Sequence, residues 1–218
     1  AFPCIKLGYQ LFDIPSGDSS SQILFAGIRF TLAGILVILA GSMMQGKLLK
    51  PSKTAIPKVL KLCMFQTVLQ YIFFYIGLAH ITGVKGSIVN AVNVFFTILV
   101  SCLLFRLEKL DRQKLIGCII GFAGVIIVNL GGEFDMSFTF LGDGFLMISA
   151  FAYALSSVLI KIYGKDENPV MLSGYQFTAG GLIMILAGLV MGGRLNAVTF
   201  QGILLLLYMA FISAGAYT

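Results

Sequence analysis

Eight apolar runs, most of them about 20 residues long, alternate along this chain with short breaks that hold nearly all of its charge. A hydrocarbon layer about 30 Å thick is crossed by about 20 helical residues. Inside that layer every backbone N–H and C=O must find a partner within the protein. The runs therefore predict an all-α integral membrane protein, with spans near 1–12, 24–45, 59–78, 84–105, 114–131, 140–161, 170–191 and 201–218. The first run begins at Ala1 and lacks the basic segment of a secretory signal, so it reads as the tail of a helix. The last stops at Thr218 without a flanking charge, and a complete protein is expected to extend beyond both ends.

Composition agrees: 58% of residues are hydrophobic and 11% charged, against roughly 25% charged in a soluble domain. The net charge of +6 does not form a basic face interleaved with aromatics, so no nucleic-acid partner is expected. Cys4, Cys63, Cys102 and Cys118 fall singly within or at the ends of apolar segments, without metal-ligand spacing. They read as small packing residues, and neither metal nor cofactor is expected. One His and no Asp or Glu expected inside a span leave no set of groups for an intramembrane enzyme. The GxxxxGK[ST] phosphate loop is missing too, so transport, if this is the function, is secondary.

Basic residues gather at alternate breaks. Lys47, Lys50, Lys53, Lys58 and Lys61 flank the second, Arg106, Lys109, Arg112 and Lys114 the fourth, and Lys161 and Lys165 the sixth, eleven of fifteen in all. Lys and Arg accumulate in cytoplasmic loops, so the even-numbered breaks are expected inside. The opposite side holds Lys6, Arg29, Lys85 and Arg194 and the acids Asp13, Asp18, Glu133, Asp135 and Asp143.

Residues 26–48 align without gaps on residues 173–195, with eleven of twenty-three positions identical. Gly27, Phe30, Thr31, Gly34, Ile38 and Gly41 are among them, matched by Gly174, Phe177, Thr178, Gly181, Ile185 and Gly188. The copies are the second and seventh spans. Separated by an odd number of crossings, they must run in opposite directions. The expected fold is thus a polytopic helical bundle of two inverted-topology repeats, residues 1–132 and 133–218, with ten helices in the full length and about eight here. Inverted repeats related by an axis in the membrane plane can exchange conformations, opening one side as the other closes. Duplication can also simply build a stable bundle.

The stretches Gly27-Ile28-Arg29-Phe30-Thr31-Leu32-Ala33-Gly34, Gly86-Ser87-Ile88-Val89-Asn90-Ala91, Phe105-Arg106-Leu107-Glu108-Lys109-Leu110 and Gly117 to Gly124 resemble, in that order, the EamA-like branch of the drug/metabolite transporter superfamily. The resemblance covers essentially the whole chain. It implies ten helices in two inverted five-helix repeats, cytoplasmic termini, and export or exchange of metabolites, amino acids or toxic compounds. The chain departs from the family pattern by lacking the ninth and tenth helices, the ninth of which helps line the family's central cavity. A multi-pass protein of the cell membrane, the inner membrane if bacterial, is the implied setting, with the lipid bilayer and a small-molecule solute as partners. A non-transporting membrane scaffold or sensor is the alternative.

Polar residues within spans face a wet cavity or another helix. Gln66 and Gln70 are spaced i, i+4 with Tyr71 on a neighbouring stripe, and Asn90 and Asn93 share a face of the fourth span. Ser149, Tyr153 and Ser157 form an i, i+4, i+8 stripe on the sixth, with Lys161 a turn further on. These nine are the candidate substrate-binding residues. For each an alternative stands beside it: packing hydrogen bonds for the amides, back-bonding to helix carbonyls for the serines, and snorkelling to headgroups for Lys161. Arg29, whose copy is Gln176, reads as structural, and His80 as helix-terminal. The stripe Gly117, Gly121, Gly124 reads as bundle packing, or as a homodimer face.

Overall fold

Asp18 and Gly46 delimit the longest helix. The Asp18 carboxylate accepts from the backbone N–H groups of Ser20 and Ser21, satisfying two donors that the helix start leaves open. The Ser21 hydroxyl, more than those backbone donors, holds its pKa below the usual carboxylate value, against the opposing effect of burial. At the far end Gly46 turns left-handed, φ 64°, which needs no Cβ there, and its N–H bonds back to the Met43 carbonyl.

The computed structural model describes residues 2–15, 17–78, 80–81, 93–107, 109, 111–129, 139–197 and 199–215. Among these residues there are eight helices: α1 (Phe2–Leu11), α2 (Ser19–Gln45), α3 (Ala55–Leu78), α4 (Asn93–Leu104), α5 (Arg112–Asn129), α6 (Phe140–Tyr163), α7 (Pro169–Val190) and α8 (Phe200–Gly215). Four of them, α2, α3, α6 and α7, are long and apolar enough to cross a membrane. The chain is a multi-pass helical membrane protein. Starts fall earlier than the apolar runs predict, at Ser19 rather than 24 and at Ala55 rather than 59. Polar first turns are carried by caps, Asp18 for α2 and the Ser52 hydroxyl accepting from Ala55 N–H for α3, and hydropathy does not register them.

Two compact units make up the chain, one of Ala1–Val68 with Ile162–Thr218, the other of Leu69–Lys161. The first is organised on the crossing of α2 and α7. A Cβ placed on Gly27 would lie 2.7 Å from the backbone nitrogen of Ile185 and 2.9 Å from the carbonyl oxygen of Gly181. One placed on Gly181 would lie 2.5 Å from Thr31 N and 2.7 Å from the carbonyl oxygen of Gly27. Gly34 meets Thr178 and Gly174 in the same way, Gly174 meets Ile38, Gly188 meets Leu24, and Gly41 meets Val170. Residue numbers fall along α7 as they rise along α2, so the helices are antiparallel. With a shift of 147 between copies, Gly27 against Ile185 and Gly34 against Gly174 have their mates in Gly174 against Ile38 and Gly181 against Gly27. This is an isologous contact about a pseudo-two-fold, and it bears out the inverted repeat. Near the axis the equivalent rings of Phe30 and Phe177 stack, 5.6 Å apart and 9° from parallel. Thr31 and Thr178 donate to the carbonyls of Gly27 and Gly174, each at 2.9 Å, which satisfies both hydroxyls inside their own helices.

Antiparallel packing brings loops 46–54 and 164–168 together at one end of this unit. Lys58 there pairs with Glu167 at 3.3 Å and Asp166 at 3.9 Å, and the Tyr175 hydroxyl donates to the Leu49 carbonyl. At the other end Arg194 N–H donates to the Ser21 hydroxyl and Ala197 N–H to the Phe12 carbonyl. Phe12, Ile14 and Phe25 pack there on Leu206 and Met209 of α8. The two loops that meet Lys58 belong to the breaks where basic residues gather, as the positive-inside reading requires.

In the second unit α6 packs on the last turns of α3. A Cβ on Gly77 would be 2.9 Å from the carbonyl oxygen of Gly142, and the rings of Phe73 and Phe145 meet edge to face at 5.1 Å. Phe96 of α4 meets Phe151 at 6.3 Å. The α5 glycines Gly117, Gly121 and Gly124 would meet nothing within 4 Å if given a Cβ. Ile116, Ile119, Ile120 and Phe122 around them are exposed, so among the described residues this stripe packs against no other helix.

Candidate functional site

Polar side chains in the first unit converge where α3 changes its winding. Between α-helical Ala55–Leu62 and Gln70–Leu78, residues Cys63–Leu69 form a π-helix. Its wider turn bonds i to i+5, a rare geometry that is frequent at functional sites, and it recurs at Val100–Leu104 and Phe140–Gly144. Gln66 and Thr67 lie within it, buried at 5% and 0% exposure. Gln176 of α7, fully buried, donates from Nε2 to Gln66 Oε1 at 3.0 Å. A Cβ on Gly180 would lie 2.5 Å from Thr67 Cβ, so α3 and α7 touch closely there. Gln176 Oε1 and Thr67 Oγ1 are buried without a hydrogen-bond partner. A buried polar atom left unpaired costs about 1–3 kcal/mol, so two of them beside one amide pair mark a place suited to a further polar group.

Arg29, at the repeat position of Gln176, is buried as well, with its guanidinium 4.6 Å above the Phe30 ring and its Nε unpartnered. The two equivalent positions thus carry opposite needs: an N–H lacking an acceptor in one copy, a carbonyl oxygen lacking a donor in the other.

In the second unit the buried Ser149 hydroxyl donates to the Gln70 backbone carbonyl at 2.8 Å, joining α6 to α3. Gln70 Oε1 is buried without a partner. The rings of Tyr71 and Tyr75 lie 6.1 Å apart. Tyr153 and Ser157 are half-buried on α6, and Lys161 is exposed at its end. Back-bonding, the alternative weighed for the serine stripe, occurs at its neighbour Ser156, whose hydroxyl donates to the Tyr153 carbonyl. Asn93 is half-buried at the start of α4, and its carbonyl accepts from Thr97 Oγ1. Asn90 lies outside the described residues, as does Glu108.

Of the nine residues selected from the sequence, Gln66 reaches a buried polar partner and Gln70 shares a hydrogen bond with Ser149. Gln66 and Gln70 belong to different compact units. None of the nine lines the cleft of about 350 Å³ at the Lys58 end, which is walled by Gln45, Lys47, Lys50, Asp166 and Glu167 among others. Thr67 and Gln176 were missed, although an uncharged amide inside a span is itself a signal. A carboxylate is also buried, contrary to the expectation from sequence. Asp143, in the π-helical first turn of α6, is 5% exposed and accepts from Thr139 N–H at 2.8 Å and Thr139 Oγ1 at 3.1 Å. Its place near the end of an apolar run made it look like a loop residue. His80 bonds through Nδ1 to the Ile76 carbonyl at 2.8 Å, the helix-terminal role expected of it.

A family model described as the EamA-like transporter family matches residues 14–130 and 140–218. An uncharacterized transporter of Archaeoglobus fulgidus is 30% identical over 97% of this chain and 70% of its own length. The uncharacterized inner membrane transporter YedA of Escherichia coli K12 is 27% identical over 90% of the chain and 63% of its own length. One of Methanothermobacter thermautotrophicus is 27% identical over 59% of the chain. The chain spans 38% of that last relative and 55% of a second Archaeoglobus transporter. No solved structure matches the chain.

Proposed function

This chain belongs to the EamA-like transporter family, and from that premise we propose that it carries a small metabolite, amino acid or drug-like solute across a cell membrane by alternating access. The isologous crossing of α2 and α7 carries the reading. A pair of helices related by a pseudo-two-fold between their antiparallel axes gives two equivalent arrangements in which either end can open. Glycines bring the two backbones together there, so one repeat can rock on the other without a bulky side chain in the way. Solute contacts are assigned to polar side chains of each unit taken by itself: the buried Gln66, Gln176 and Thr67 in the first, and the buried Ser149 with the half-buried Gln70 and Tyr153 in the second. Transport is secondary, driven by solute gradients or exchange, and occurs in the cell membrane, the inner membrane of a bacterial cell.

Counterflow tests it. Full-length protein in liposomes preloaded with an unlabelled solute is expected to accumulate the same labelled solute transiently, for at least one member of a broad metabolite panel. No counterflow across the panel from folded protein would leave the scaffold reading.

A further inference from the structure

Among the described residues Arg29 is the one buried cation. It is 7% exposed on α2, within the apolar run, and among the described residues no carboxylate forms an ion pair with it. The Phe30 ring, itself stacked on Phe177, lies under its guanidinium and Nε lacks any acceptor. A ring face compensates a desolvated cation only in part, and an ionisable side chain inside a span is costly to keep. The inverted repeat supplies the control for a structural explanation. Gln176 occupies the same position in the second copy, is 0% exposed and is neutral, so helix packing at this site does not require charge. Were Arg29 there for packing alone, a neutral side chain would do as well. A guanidinium offers a planar fork of donors that matches an oxyanion in two-point contact, which an ammonium does not.

The geometry points to Arg29 as a binding site for the oxyanion group, carboxylate or phosphate, of a small organic anion that the protein moves. This rests on the transport reading above and narrows its substrate class. The orphan Nε–H is one donor for that group, and the Phe30 ring is the wall that orients the guanidinium.

The test uses full-length protein in neutral detergent. Thermal unfolding is followed with a thiol-reactive dye, for which Cys63 and Cys102 are buried reporters. Wild type, Arg29→Gln and Arg29→Lys are each titrated with sodium succinate, inorganic phosphate and phosphatidylglycerol, with choline chloride as the ionic-strength control. Without ligand, Arg29→Gln is expected to melt no lower than wild type, since glutamine is accommodated at the equivalent position. Succinate or phosphate is expected to raise the wild-type midpoint, with at least tenfold weaker affinity in Arg29→Gln and an intermediate loss in Arg29→Lys. Equal responses in wild type and Arg29→Gln, or no oxyanion response in wild type, overturn the inference. A response to phosphatidylglycerol alone overturns it too, because the anion would then be a lipid headgroup. Counterflow separates the two levels. Counterflow in wild type together with an oxyanion response that Arg29→Gln leaves unchanged refutes the anion site and keeps transport. Oxyanion binding that depends on Arg29 without any counterflow keeps the site and refutes transport.

Discussion

Replacing Gly34 by Ala adds one methyl group at the tightest point of the α2–α7 crossing. That methyl would sit 2.5 Å from Thr178 N and 2.6 Å from the Gly174 carbonyl oxygen, both backbone atoms that cannot swing aside. Restoring ordinary contact needs the helices to separate by about 0.9 Å, and a gap of that size forfeits about a quarter to a half of the attraction at each contact. Helices in lipid are held by such packing, without a hydrophobic drive between them. The expected cost of Gly34→Ala is about 1–3 kcal/mol, and the same for its repeat mate Gly181→Ala, which would meet Thr31 N and the Gly27 carbonyl. One separation relieves both clashes, so the double variant should cost little more than the worse single one, a coupling of about 0.5–3 kcal/mol. Gly117→Ala on α5, with nothing within 4 Å, is the control. Its helix-propensity gain is at most about 1 kcal/mol. Equilibrium unfolding of the full-length protein in mixed detergent micelles by added dodecyl sulfate measures all four. If Gly34→Ala costs no more than Gly117→Ala, or if the double variant equals the sum of its parts, the close antiparallel crossing is wrong.

Gln176→Leu and Gln66→Leu each strand a buried amide and should lose about 1–3 kcal/mol, whereas the double variant should regain near wild-type stability because both partners are then apolar. If counterflow stays low in the stable double variant, the amide pair serves the solute; full flux there removes it from the path. Asp18→Ala should cost about 0.5–2 kcal/mol at neutral pH as a lost helix cap. Because the folded-state pKa of Asp18 lies below its ordinary 3.8, the cap's contribution is complete above that value and fades as pH falls through the folded one. Unfolding curves of wild type and variant should therefore converge in strong acid, and a gap that persists there would contradict the capping argument. Gln70→Ala and Tyr153→Ala are expected to lower counterflow without lowering the amount of protein in the membrane, and normal flux in both takes them out of the site.

Helix order and the inverted repeat were legible from residues alone because both rest on one-dimensional signals, apolar run length and the match of Gly27 to Gly41 with Gly174 to Gly188. The antiparallel sense of α2 and α7 needed only the parity of crossings, whereas their close contact came from the structure. Cap positions were less visible, since Ser19 to Gln22 are polar residues that join α2 only through Asp18. The site was partly legible. Gln66 was selected, but its partner Gln176 was noticed only as the uncharged copy of Arg29, because a hydrogen bond across 110 positions leaves no local trace. Nothing in Cys63 to Leu69 distinguishes a π-helix from an α-helix by residue type, so the wider turn that holds Gln66 and Thr67 had to come from the backbone. Asp143 was misjudged for a similar reason: Thr139 satisfies it locally, and burial follows from α6 lying on α3.

Residues 29 and 176 show what joining two copies in one polypeptide makes available. In a dimer of identical chains, any side chain beside the symmetry axis is present twice, so a cation on one flank demands a second cation on the other. Fusion lifts that demand. A scaffold with matching backbones on both flanks can then hold a single positive charge off centre, giving a symmetric hinge an electrical sense of direction.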